Sequence, residues 1–92
     1  MGERLYLPVD YPSTDVLENT TLDAIKSIGG DVTPTQIKKY IVKKLKLSDE
    51  ILEIEHTDGL TKLIDYRLRW ARTSLKNKGL ICNPSRGKWR SL

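Results

Sequence analysis

The last third of the chain concentrates side chains able to hold a polyanion. Residues 61–92 carry nine Lys/Arg and one acid, Asp65, while the first sixty carry seven Lys/Arg against eleven Asp/Glu. The formal charge of +4 therefore separates into about −4 followed by about +8, an asymmetry that points to a polyanion-binding surface. The chemistry such residues offer is specific. Arginine can bond both major-groove acceptors of guanine, and lysine or arginine spaced along a protruding element can meet phosphates. On a helix of about 100° per residue, Lys62, Asp65, Arg69, Thr73 and Lys76 share one side, flanked by Tyr66 and Arg72. Lys62 and Arg69, in its N-terminal half, are the candidates for base edges. Tyr66 and Thr73 suit phosphate or a thymine methyl, and Arg72 and Lys76 suit phosphate. Arg86 and Lys88 flank Gly87 at a turn, suited to backbone or minor-groove contact, and Arg90 completes the basic set.

Catalytic chemistry has no comparable support. One histidine, one cysteine and scattered acids give no metal-ligand spacing. There is no Gly-rich phosphate loop and no Ser/His/Asp set, so no catalytic residue, metal or cofactor is assigned. Gln36-Ile37-Lys38 matches a Gln-x-Lys nuclease triplet, but it falls in a predicted helix without the strand and preceding acid that such chemistry needs. His56, in a glycine-adjacent loop, reads as a plain surface residue.

The elements that must position the basic residues follow from punctuation and period. Residues 1–12, with two prolines, read as an extended arm whose Leu5, Tyr6 and Val9 are free to tuck against the domain, here taken as 13–92. A helix starts near Ser13–Asp15, buries Leu17, Ala24, Ile25 and Ile28, and stops at Gly29-Gly30. Asp31-Val32 is long enough only for a bridge. Thr33-Pro34-Thr35-Gln36 is a capping-box start for a helix burying Ile37, Tyr40, Ile41 and Leu45. A short acidic helical turn begins at Ser48, and Asp58 is the expected cap of a long helix from Leu60 to Lys78. Leu60, Ile64, Leu68, Ala71 and Leu75 fall within an arc of about 80°, a core stripe, with Leu63 and Trp70 as a second apolar edge. Arg67 lies inside the core arc, which predicts a structural role satisfied by a carboxylate or helix-end carbonyls. Trp70 and Trp89 are likewise expected in the core, since a stacking platform for unpaired bases would need them exposed. After Gly79, strands 80–83 and 88–92 flank a Pro84-Ser85-Arg86-Gly87 turn.

Three main helices followed by a hairpin define a mainly α fold with a small β-hairpin, the order of a winged helix-turn-helix. In that order helix 60–78 is the groove-reading element and the hairpin tip is the wing. Ninety-two residues make one domain with a modest core. No apolar run approaches the roughly 20 residues of a membrane span and no signal peptide opens the chain, so the cytoplasm is the expected location, with no membrane partner. A single cysteine fits a reducing compartment.

The run Tyr66-Arg67-Leu68-Arg69-Trp70-Ala71-Arg72, then Leu75-Lys76-Asn77-Lys78-Gly79-Leu80, then Ser85-Arg86-Gly87-Lys88-Trp89 closely resembles the N-terminal domain of Mrr-type restriction proteins. The likeness is collinear from about Val16 to Trp89. It implies a winged-helix module that binds double-stranded DNA, normally joined to a separate nuclease domain, in proteins that restrict modified, typically methylated, foreign DNA. Two departures stand out. The sequence ends at Leu92 without the family's nuclease domain, so an excised domain is expected rather than a stand-alone relative, and Tyr66 stands where the family often has asparagine. The expectation is a non-catalytic targeting domain on duplex DNA. The rival is a winged helix for protein docking or homodimerisation, which needs an exposed apolar patch from Leu63, Trp70 and Leu5-Tyr6-Leu7. A minimal nuclease is the third reading.

Overall fold

In a computed structural model, which describes residues 8–92, four helices precede a two-stranded antiparallel hairpin: α1 (Thr14–Ile28), α2 (Pro34–Leu45), α3 (Asp49–Glu53), α4 (Leu63–Asn77), β1 (Ile81–Ser85) and β2 (Lys88–Ser91). Each early helix starts where its sequence says it should. Ser13 and Ser48 accept backbone N–H bonds three residues on, from Val16 and Ile51. Thr33 and Gln36 close the capping box reciprocally: Gln36 N–H donates to the Thr33 hydroxyl at 3.2 Å and Thr33 N–H to Gln36 Oε1 at 2.9 Å. Removing the cap by Thr33→Ala is expected to cost about 1 kcal/mol and, for a domain of this size, lower the melting midpoint by roughly 4–8 °C, read by thermal circular dichroism.

The core is one cluster built from Leu17, Ala24 and Ile25 of α1, Val32, Ile37 and Ile41, then Ile64, Leu68 and Leu75 of α4, and Ile81. On α1, Thr20 and Thr21 are also buried, and each satisfies its hydroxyl on the carbonyl four residues back. Ile28, expected in the stripe, is instead 40% exposed, at the last residue of the helix before Gly29. Tyr40 and Leu45 are only half-buried, packed against the edge of the cluster. Tyr40 donates its hydroxyl to Asp23 at 2.6 Å.

The main departure is at the start of α4. Asp58 caps a tight turn rather than the helix: its carboxylate accepts Leu60 N–H at 2.8 Å and Thr61 N–H at 3.1 Å. Those bonds, the one from Leu60 foremost, hold the carboxyl below its usual range. Residues on either side pair, with a bridge between Glu55 and Lys62 and Leu63 N–H bonding the Ile54 carbonyl at 2.8 Å. Leu60 is therefore at a loop tip, 91% exposed, and Leu63, expected at an edge, is core. The helix opens after Lys62, which makes no side-chain cap.

The hairpin is tighter than the sequence suggests. Pro84 and Ser85 continue β1, and the turn is Arg86-Gly87 alone, with Gly87 at φ 74°, where glycine carries no side-chain penalty. A bulge between Cys82 and Ser85 absorbs Pro84, which cannot donate to the ladder. Asn83 fastens it, donating Nδ2–H to the carbonyls of Ser85 at 2.8 Å and Lys88 at 2.5 Å. Val32 adds a one-residue third strand, exchanging 2.8 Å backbone bonds in both directions with Trp89. In the arm, Leu5 and Tyr6 lie outside the described residues and Val9 is fully exposed rather than tucked in; Pro12 is the buried residue.

Candidate nucleic-acid interface

α4 turns Leu63, Ile64, Leu68, Ala71 and Leu75 inward, so the positions between them emerge on the far side. Tyr66, Arg69, Trp70 and Lys76 are exposed there, with Thr73 partly so; the Thr73 hydroxyl is tied to the Arg69 carbonyl at 3.1 Å. The wing projects from the end of the same helix and carries Arg86 and Lys88 at its tip, both exposed.

Geometry divides the nine predicted site residues. Arg69, Lys76, Arg86 and Lys88 are exposed and form no ion pair with any acid among the described residues. Lys62 is engaged: its Nζ donates to Glu53 Oε1 at 3.2 Å, and it stands before the helix rather than on its exposed side. Arg90 is engaged as well, with Nη2 2.6 Å from Asp31 and its Nε donating to the same oxygen at 2.8 Å. That pair fastens the wing to the residue before Val32. Exposed pairs like these add little stability, but they decide which cations remain free.

Arg72 is a distinct case. Its guanidinium lies 5.7 Å from the centre of the Trp89 ring and borders a groove of about 410 Å³ shared with Pro34, Thr35, Lys38 and Asp65. Burial, helped by the charge on Arg69, pushes its pKa below the ordinary value, yet arginine stays protonated. Its buried Nε has no hydrogen-bond partner among the described residues. Across the same groove Lys38 holds Asp65 at 2.8 Å, compensating the one acid of the basic segment. Lys38 and Gln36 of the Gln-x-Lys triplet are thus used for an ion pair and a helix cap.

Arg67 takes the structural role expected of it through a different partner, its guanidinium 5.1 Å from the centre of the Tyr11 ring. Burial raises the Tyr11 pKa against the lowering effect of Arg67. Trp89 packs on the core as expected, but Trp70 does not: it is 56% exposed. The physical reason is its neighbour. α1 offers Thr14 and Glu18 beside that edge of α4 instead of large apolar side chains. Sequence reasoning also missed His56, which is half-buried with its ring centre 3.8 Å from that of Tyr66, while its Nδ1 accepts Asp58 N–H at 3.2 Å. The Tyr66/Trp70 spacing of four was the available signal, since it places both rings on one side of a helix.

Among the described residues no group of three or more His, Cys, Asp or Glu side chains could hold a metal ion, and no helix is long and apolar enough to cross a membrane.

Three packed helices, a one-residue third strand and a basic hairpin following α4 define a winged helix. The family model for the Mrr N-terminal domain matches residues 16–90, and the chain belongs to that family. Membership associates the chain with restriction systems. No curated protein and no solved structure matches it.

Proposed function

We propose that this domain binds double-stranded DNA, with α4 in the major groove and the 86–88 tip along the flanking backbone, as the non-catalytic targeting part of an Mrr-like restriction endonuclease in the cytoplasm. The observation that carries this reading is the sorting of cations. Arg69, Lys76, Arg86 and Lys88, on the two elements that protrude, have no acid partner among the described residues, while Lys62, Lys78 and Arg90 are paired with acids. The unpartnered Nε of Arg72, next to the first turn of α2, is a further donor that a phosphate oxygen could satisfy. Within this proposal, modified and typically methylated DNA is the target and a nuclease domain is the covalent partner.

Titrating a labelled duplex over a salt series tests it. Arg69→Ala and Arg86→Ala are each expected to weaken binding about five- to tenfold, and loss of a phosphate contact to lower the salt slope by about one. Binding of undiminished strength by both variants would remove the reading. Exposure of Trp70 favours a second one, a docking or dimerising winged helix, although Leu63, which was to extend that patch, is buried. Concentration-dependent mass without DNA affinity would select it.

A further inference from the structure

We propose that the Trp70 edge of α4 is a stacking site for an unpaired nucleobase, so that the domain prefers duplex DNA carrying an extrahelical base over fully paired DNA. This deepens the DNA-binding reading and rests on it.

Three observations lead there. Trp70 is over half exposed, and nothing among the described residues covers it. It stands as a ridge between two grooves, one of about 350 Å³ toward α1 and one of about 320 Å³ on the Arg69 side. Its position is braced rather than loose: Tyr66 meets it edge-on with ring centres 6.3 Å apart, and the His56 ring in turn lies tilted against Tyr66. An aromatic surface held in this way loses little freedom when a flat partner lies on it.

The surroundings select the kind of partner. Arg67 and Arg69 lie on opposite sides of the indole, one in each groove, placing positive charge where a strand entering the site would bring its phosphates. The groove toward α1 is itself mainly apolar, with Thr14, Glu18 and Ser74 as polar points. Glu18 is neutralised through Oε1 by Lys78, and its second carboxylate oxygen can accept from the exocyclic amine of a base. A neutral planar base with an amine is suited to that oxygen. The site adjoins the proposed duplex interface, since Arg69 and Thr73 line the second groove. A base already out of the stack reaches it without the cost of unpairing.

The test compares three labelled duplexes of one sequence: fully paired, with one extra central adenine, and with an extra abasic residue in its place. Fluorescence anisotropy gives affinities, and tryptophan quenching reports stacking. The wild-type domain is expected to bind the bulged adenine about tenfold more tightly than the paired duplex, equivalent to about 1.4 kcal/mol. The abasic duplex should behave like the paired one, with quenching only for the adenine. Trp70→Ala should bring the ratio to about one, and Trp70→Phe should keep much of the preference. Equal affinity for all three duplexes overturns the proposal but leaves duplex binding intact. So does a preference shared by the abasic duplex, which would reflect flexibility, or one surviving Trp70→Ala. Self-association abolished by Trp70→Ala, with no bulge preference, overturns it in favour of protein docking. Failure to bind any duplex removes both this proposal and the reading beneath it.

Discussion

Replacing Arg69, Lys76, Arg86 and Lys88 together with alanine is expected to lower duplex affinity by at least about a hundredfold at moderate salt, and to reduce the slope of log affinity against log salt by about three to four. The contributions add. Each phosphate contact releases about 0.9 of a counterion, and a bidentate arginine at a guanine contributes about 1–3 kcal/mol of discrimination. These four side chains are exposed and have no ion-pair partners among the described residues, so their removal leaves no buried acid unpaired and the fold should persist. Location is separated from bulk charge by a control. Lys26, Lys43 and Lys44 are also exposed, on α1 and at the far end of α2, and their joint replacement should change affinity by no more than about threefold. Salt-series anisotropy on both variants decides between them. Equal losses would mean that net charge alone governs binding.

The second large effect concerns stability. Ile64→Ala should destabilise the domain by about 2–5 kcal/mol, whereas Leu60→Ala should cost no more than about 0.5 kcal/mol. Both residues belong to one 3.6-period stripe in the sequence, but Ile64 is wholly buried and Leu60 lies at a loop tip. For a chain of this size the first loss is a large share of a total of roughly 5–14 kcal/mol, enough to shift a denaturant midpoint far. Urea unfolding of the two variants reads the start of α4 directly. Comparable losses at both sites would place the helix start near Leu60.

That contrast marks the limit of local reading. The capping box at Thr33-Pro34-Thr35-Gln36, the stop at Gly29 and the turn at Gly87 are legible because each is decided within a few residues. The true start of α4 is decided elsewhere: Leu63 bonds the Ile54 carbonyl, and Asp58 diverts the intervening chain into a turn. The apolar period continues through Leu60 regardless, so it projects a helix onto a loop. The site divides along the same line. The type and approximate position of the cations were readable, but which ones are free was not. Glu18 lies sixty residues from Lys78 and Asp31 fifty-nine from Arg90, beyond the reach of any spacing rule. Trp70 was misplaced because the wheel marks an apolar edge without saying what faces it.

The pairing of Val32 with Trp89 has a consequence for the order in which the chain can assemble. α1 and α2 form from local signals, but the residue between them finds its backbone partner only in the final strand. The Asp31–Arg90 pair closes over the same long loop. During synthesis the early helices must therefore wait, with Val32 and the Ile81 site unfilled, until nearly the whole domain has emerged. Closure of that loop is a late, non-local event, and the hairpin acts as the latch that makes folding of the preceding helices cooperative.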